Sequence, residues 1–169
     1  PYQTVWGSVD DLHNYFYSCA QPPGGLTNNP VGRRPYGGQR KQVPGLNKHT
    51  AYRFCLSVQG MGDLNALDIC QVVHEQVLHR PGALDHAEHL QYHTSLPNGD
   101  TWNGVYIDDR GVIHKLPVAN IKDMDGQRDA ELIAASATAH AATPGIEAAT
   151  DKQVRFQESF RLWGTDIQG

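Results

Sequence analysis

Three carboxylates define the first chemistry the sequence offers. Asp108 and Asp109 stand side by side in Tyr106-Ile107-Asp108-Asp109, and Asp11 follows the strand-like stretch Thr4 to Val9. Taken alone, the tetrapeptide with its trailing Arg110-Gly111 is an ordinary hairpin turn, because Asp and Gly are turn formers. Joined by a third carboxylate from a neighbouring strand end, it becomes an all-oxygen site. Such donors suit Mg²⁺, with Mn²⁺ as a substitute, because these ions prefer carboxylates, water and phosphate oxygens. Two ions roughly 4 Å apart can activate a 3′-hydroxyl and stabilise a leaving pyrophosphate. Asp11 is the obvious third donor.

The elements that must position these residues follow from periodicity and breakers. Thr4 to Val9 alternates as a strand and runs into Asp10-Asp11, before the aromatic cluster Asn14-Tyr15-Phe16-Tyr17. Residues 21 to 50 are rich in Pro, Gly and Asn and read as a long loop insertion. Tyr52 to Val58 reads as a strand ended by Gln59-Gly60-Met61-Gly62. A helix follows, capped by Asp63 or Asn65, with Leu67, Cys70, Val73 and Val77 at helical spacing until Arg80-Pro81-Gly82 stops it. Beyond a His-rich polar segment and a turn at Pro97-Asn98-Gly99-Asp100, Trp102 to Ile107 and Val112 to Leu116 read as strands joined across Asp108-Asp109-Arg110-Gly111. Asp125 to Ala142 is an Ala-rich helix, and Val154 to Phe156 with Phe160 to Ile167 reads as a last hairpin. The order is strand, helix, strand, helix, strand pair, helix, strand pair. It points to one α+β domain over 1–169, with an antiparallel sheet.

Five stretches in this order resemble reverse transcriptase motifs. Asp11-Leu12-His13-Asn14-Tyr15-Phe16-Tyr17 is similar to the first palm motif, and Gln59-Gly60-Met61-Gly62-Asp63-Leu64-Asn65-Ala66 through Gln71 to the second. Tyr106-Ile107-Asp108-Asp109 resembles the tyrosine-x-aspartate-aspartate hairpin. Gly126-Gln127-Arg128 and the helix after it, to Asp151-Lys152, look like the fourth motif, and Phe160-Arg161-Leu162-Trp163-Gly164 like the primer-grip hairpin. The resemblance implies a polymerase palm from a retrotransposon-like polyprotein: a ferredoxin-like core with helices packed on one face of the sheet. It implies RNA template, DNA primer and deoxynucleotide as partners, and Asp11, Asp108 and Asp109 as the metal-binding triad. Phe16 would be the gate against a ribose 2′-hydroxyl, and Gly62 would let backbone approach nucleotide or template. Tyr106, Trp163 and Gly164 would line the substrate, and Lys152 would protonate the departing pyrophosphate.

The departures from that pattern are specific. Arg110 stands where the family has an apolar residue, and Asp63 and Leu64 stand where aromatic or basic residues contact template or nucleotide. The basic fingers and the thumb are missing, so the resemblance implies a fragment that is inactive without them. The chain starts at Pro1 with no initiator Met, which fits a fragment or processed piece. The rival expectation is a retroelement-derived domain serving as a structural or interaction subunit of a larger assembly, its aspartates relics.

A second metal-type constellation competes. His86, His89 and His93 lie at i, i+3 and i+7, on one face if the segment is helical, with His79 and Glu88 near. Three imidazoles could hold Zn²⁺ with a water in the open position. With no evident outer partners and few apolar residues to stiffen the segment, surface histidines are the plainer account.

Charge and cysteines bound the rest. Fourteen Lys and Arg against 18 Asp and Glu give a net charge of −4, which sits awkwardly with a nucleic-acid enzyme. The distribution softens this, since no acidic residue falls between Asp11 and Asp63 whereas Arg33, Arg34, Arg40, Lys41, Lys48 and Arg53 do. Cys19, Cys55 and Cys70 are dispersed and odd in number, which argues against a disulfide framework and for a reducing compartment. No secretory signal or stretch of roughly 18 apolar residues is visible, and the retroelement analogy points to nucleus or cytoplasm.

Overall fold

A computed structural model describes residues 2–26, 30–31, 45, 47, 49, 51–118 and 126–169. Two compact units emerge: 1–15 with 67–169, and 16–66. In the first, the strands are β1 (Gln3–Asp10), β4 (His89–Leu90), β5 (Thr101–Tyr106), β6 (Asp109–Pro117), β7 (Val154–Gln157), β8 (Ser159–Leu162) and β9 (Thr165–Gln168). The short β2 (Pro30–Val31) and β3 (Phe54–Cys55) belong to the second unit, and the helices are α1 (Ala66–His79) and α2 (Gln127–Ala141). The class is mixed α+β. No helix among the described residues is long and apolar enough to cross a membrane.

The first unit is built on a five-stranded sheet of order β4-β5-β6-β1-β7. β1, β5, β6 and β7 pair antiparallel, and the two-residue β4 adds a parallel edge. Because α1 lies between β1 and β5 in sequence while β6 lies between them in the sheet, the core is a split β-α-β arrangement with a second crossover through α2.

The two sheet faces divide by side-chain alternation. One face meets the helices: Val105 of β5 clusters with Leu78 of α1, Ala139 of α2, and the connector residues Ala83 and Leu84. That face is also polar at its centre. The Ser8 hydroxyl donates to Asp129 of α2 at 2.7 Å, and His114 Nε2 lies 3.2 Å from the other Asp129 oxygen. The Arg110 guanidinium lies 3.7 Å from Asp10 and donates to the Ala83 carbonyl at 3.0 Å. Arg110 is fully buried.

The opposite face carries Val9 and Ile113, covered by Phe160 and Leu162 of the β8–β9 hairpin. Glycines make the room. The Phe160 ring lies over Gly7, Leu162 over Gly111, and a Cβ on Gly104 would lie 2.5 Å from the Trp163 ring. A Cβ on Gly7 would meet backbone as well, 2.7 Å from the Val112 carbonyl oxygen. Gly7→Ala is therefore expected to destabilise by about 1–3 kcal/mol, the usual cost of overpacking, read as a lower urea midpoint at unchanged slope.

Three sequence expectations need correction here. Val154 to Phe156 and Phe160 to Ile167 do not pair as one hairpin: β7 pairs with β1, and residues 159–168 form their own hairpin around Trp163 and Gly164. The strand expected over 52–58 shortens to Phe54–Cys55, with Val58 bridging Ala20. Where the expected order has its first helix, the described residues form two 3-10 turns, Tyr15–Ser18 and Pro23–Gly25. Most of the loop expected over 21–50, with Arg33, Arg34, Arg40, Lys41 and Lys48, lies outside the described residues, as does Asp125.

In the second unit a polar knot organises the glycine turn. Gln59 is buried, its amide N–H donates to the Cys19 carbonyl at 2.8 Å, and the Gln21 side chain donates to Gln59 and to Asp63 at 3.2 and 3.0 Å.

Candidate functional site

The three aspartates meet through strand register. β1 and β6 pair Val9 with Gly111 and Asp10 with Arg110. The pairing continues past β1, because the Leu12 amide donates to the Asp108 carbonyl at 3.2 Å. One residue earlier, Asp11 therefore stands opposite Asp109, and directly opposed side chains share a face. Asp108 sits in the turn beside them. The sequence placed Asp108 through Gly111 in the turn. The structure instead closes the hairpin with two residues, Ile107 and Asp108, and starts β6 at Asp109.

That turn is held under constraint. Ile107 has φ +60°, a region costly for a β-branched residue. α1 grips it from both sides: the Ile107 amide donates to Gln71 Oε1 at 2.7 Å, and His74 Nδ1–H donates to the Ile107 carbonyl at 2.7 Å. Gln71 also donates to the Val105 carbonyl at 2.9 Å. Behind His74, its Nε2 lies 3.0 Å from His140 Nε2 of α2, both rings buried. The sequence reading missed His74 and His140. The i, i+3 spacing of Gln71 and His74 was the available signal, but their partner lies 33 to 36 residues away.

The electrostatics are those of crowded carboxylates. Burial pushes the Asp108 carboxyl up, with Asp11 adding to the rise and Lys152 opposing it. Asp109 is raised by burial, then by Asp108 and Asp11, again against Lys152. Lys152 lies in the 3-10 turn Thr150–Lys152 and donates to Asp11 Oδ2 at 2.8 Å. That bond raises the ammonium pKa and makes Lys152 the ion-pair partner of Asp11. The neighbouring Asp10 points to the other face, bonded to Arg155 as well as paired with Arg110.

The remaining sequence candidates separate. Tyr106, the partner of Asp109 across the hairpin, shares its face and is exposed. Trp163 and Gly164, at φ +49° and +77°, form the β8–β9 tip, and the Trp163 ring lies on Gly104 two residues from Tyr106. Phe16 and Gly62 belong to the second unit. Phe16 is half-buried in its 3-10 turn, and Gly62 at φ +95° completes the turn in which the Asp63 amide donates to the Gly60 carbonyl. The positive φ favours glycine there, and a Cβ would meet nothing within 4 Å.

Arg110 and the histidines take positions of their own. Arg110, which stands where the resembled family has an apolar residue, is a buried cation on the opposite face, its pKa lowered to about 10 chiefly by burial. Residues 86–93 are not helical, so His86, His89 and His93 share no helix face. His79, His86 and His89 converge instead, while the His93 ring packs on Tyr92. Burial lowers the His89 pKa, with Glu75 opposing. Glu88 is committed to Arg128, which donates to both its oxygens at 2.9 and 3.0 Å.

No protein-family model matches the chain, and no curated protein is significantly similar to it.

Proposed function

We propose that this chain is the palm of an RNA-directed DNA polymerase, a two-metal nucleotidyl-transfer scaffold that needs fingers and thumb for activity. The observation that carries the reading is the register: Asp11 opposes Asp109 at the end of β1–β6, with Asp108 in the adjoining turn. The strand order β5-β6-β1-β7, with α1 and α2 packed against Val105, supports a ferredoxin-like core of the kind a palm would use. The donor set fits divalent cations, because burial and mutual repulsion raise both hairpin carboxyls and leave negative charge that one lysine opposes. Asp11, Asp108 and Asp109 would hold Mg²⁺, which when bound supplies Lewis-acid stabilisation of the attacking and leaving oxygens. The chain's own part is positioning: α1 fixes the turn through Gln71 and His74, and the β8–β9 tip lies on the same sheet face, where a primer end would rest.

One observation favours the rival, a non-catalytic subunit with relic aspartates. Lys152 already supplies Asp11 with a cation. Calorimetry with Mn²⁺ separates the two readings. The polymerase reading expects binding by the chain that Asp11→Asn and Asp108→Ala each weaken at least tenfold, and expects Asp108→Ala to abolish primer extension when fingers and thumb are present. Extension that survives Asp108→Ala would sink the assigned role. An absence of Asp11-dependent binding, with stoichiometric co-purification of protein partners, would favour the subunit.

A further inference from the structure

The end of α1 and the strand β4 bring three imidazoles together away from the aspartates. His79 is the last residue of α1, His89 the first of β4, and His86 lies in the turn between them. One ring nitrogen from each lies within 4.8 Å of the others. The His79 and His86 rings stack with centroids 4.2 Å apart, and the His89 ring meets His79 edge-on at 5.4 Å.

The connector is stiffer than its polar sequence suggests. Gly82, at φ +75°, turns the chain off the helix, and the Leu84 amide donates back to the Leu78 carbonyl at 3.2 Å. Ala83 and Leu84 are fully buried, and the Ala83 carbonyl accepts from the Asn103 side chain at 2.7 Å. Asp85 then closes the turn that carries His86, accepting from the Ala87 amide at 2.9 Å.

The outer partners are those of metal-binding histidines. Such a ring usually gives its second N–H to a carbonyl or a carboxylate, which fixes the tautomer. His79 Nδ1–H donates to the Leu84 carbonyl at 2.5 Å, leaving Nε2 with a lone pair. His89 is buried and its Nε2 has no hydrogen-bond partner among the described residues. Its Nδ1 lies 3.1 Å from the Gln91 amide, whose oxygen accepts from Nδ1–H once the amide is turned over, freeing Nε2 as a donor to metal. The Glu75 carboxylate, one helical turn before His79, lies 3.8 Å from His89 Nε2 and would offset cationic charge.

We propose that His79, His86 and His89 bind one first-row transition-metal ion, Zn²⁺ by donor type, which fastens β4 to the end of α1. Zn–N bonds of about 2.0–2.1 Å put nitrogens about 3.4 Å apart, so binding draws the rings inward by side-chain rotation. His86 is exposed and free to make that rotation. Three nitrogens leave a fourth position for water or Glu75. Imidazole donors separate this site from the all-oxygen site, which suits Mg²⁺.

The test is titration of the chain with Zn²⁺ by calorimetry and with Co²⁺ by visible absorption. The expected result is one equivalent bound, with the intense Co²⁺ bands of a four-coordinate nitrogen site. Losing an outer partner typically costs 10–100-fold in affinity, so loss of a ligand in His86→Ala is expected to cost at least about 100-fold. His79→Ala should act alike, whereas His93→Ala and Asp108→Ala should leave the affinity unchanged. Absence of stoichiometric binding by the unaltered chain would overturn the proposal. So would affinity in His86→Ala and His79→Ala that is unchanged from the unaltered chain, which would place the ion on scattered surface histidines.

Discussion

Lowering the pH from 7 to about 4 is expected to cost this chain several kcal/mol of stability. Burial holds His74 down at about 3 and His140 at about 4, against 6.5 for an unperturbed ring. The hydrogen bonds agree with two neutral rings, since His74 donates to Ile107 and accepts from His140. Between pH 6.5 and 4 the unfolded chain binds two protons that the folded chain does not. Stability is thus fully present above about 6.5 and falls with pH by about 1.4 kcal/mol per unit for each ring. Two units cost the two rings about 6 kcal/mol at most, a sizeable part of a domain's usual stability. Asp108 and Asp109 act in the opposite sense, because raised carboxyls take up protons more readily folded than unfolded. Both are half-exposed and solvent screens them, so they offset little. Urea midpoints at pH 7, 6, 5 and 4 read the effect. In His140→Gln the loss per pH unit should fall by about half; an unchanged slope would remove the histidine pair from the explanation.

Arg110→Ala is expected to cost about 3–5 kcal/mol, the penalty for stripping one partner from a buried ionic network. The guanidinium is held between Asp10 and the Ala83 carbonyl, and the charge of Asp129 also acts on it. Removing it leaves Asp10 with Arg155, and Asp129 with His114 and Ser8. The double variant Asp10→Asn/Arg110→Ala should be clearly more stable than Arg110→Ala, because it removes a carboxylate charge left with the partly exposed Arg155 as its cation. Equal loss in both would mean that Arg110 acts by packing alone. Chemical denaturation of the four members of the cycle measures the coupling.

Local signals carried much of this architecture into the sequence. Alternation marked β1, Arg80-Pro81-Gly82 marked the end of α1 at His79, and the Asp108-Asp109 pair marked a hairpin. The sequence could not tell which aspartate lies in the turn, because a left-handed Ile107 is a choice that tertiary clamps impose on an unsuited residue. Nor could local pattern find the contact of Lys152 with Asp11, 141 residues apart, or of His74 with His140, 66 apart. The histidine cluster shows the same limit in reverse. Helical spacing selected His93, while the turn through Gly82 and the buried Ala83–Leu84 folded His79 into its place.

The grip of Gln71 on Ile107 gives the hairpin tip its own clock. A turn amide facing solvent exchanges its hydrogen quickly, but the Ile107 N–H is capped by a side-chain carbonyl rather than by a strand. Its exchange waits on rotation of one glutamine, an opening far smaller than separation of β5 from β6. The stiffness of the carboxylate turn is therefore adjustable at Gln71, without loosening the sheet that aligns Asp11 with Asp109.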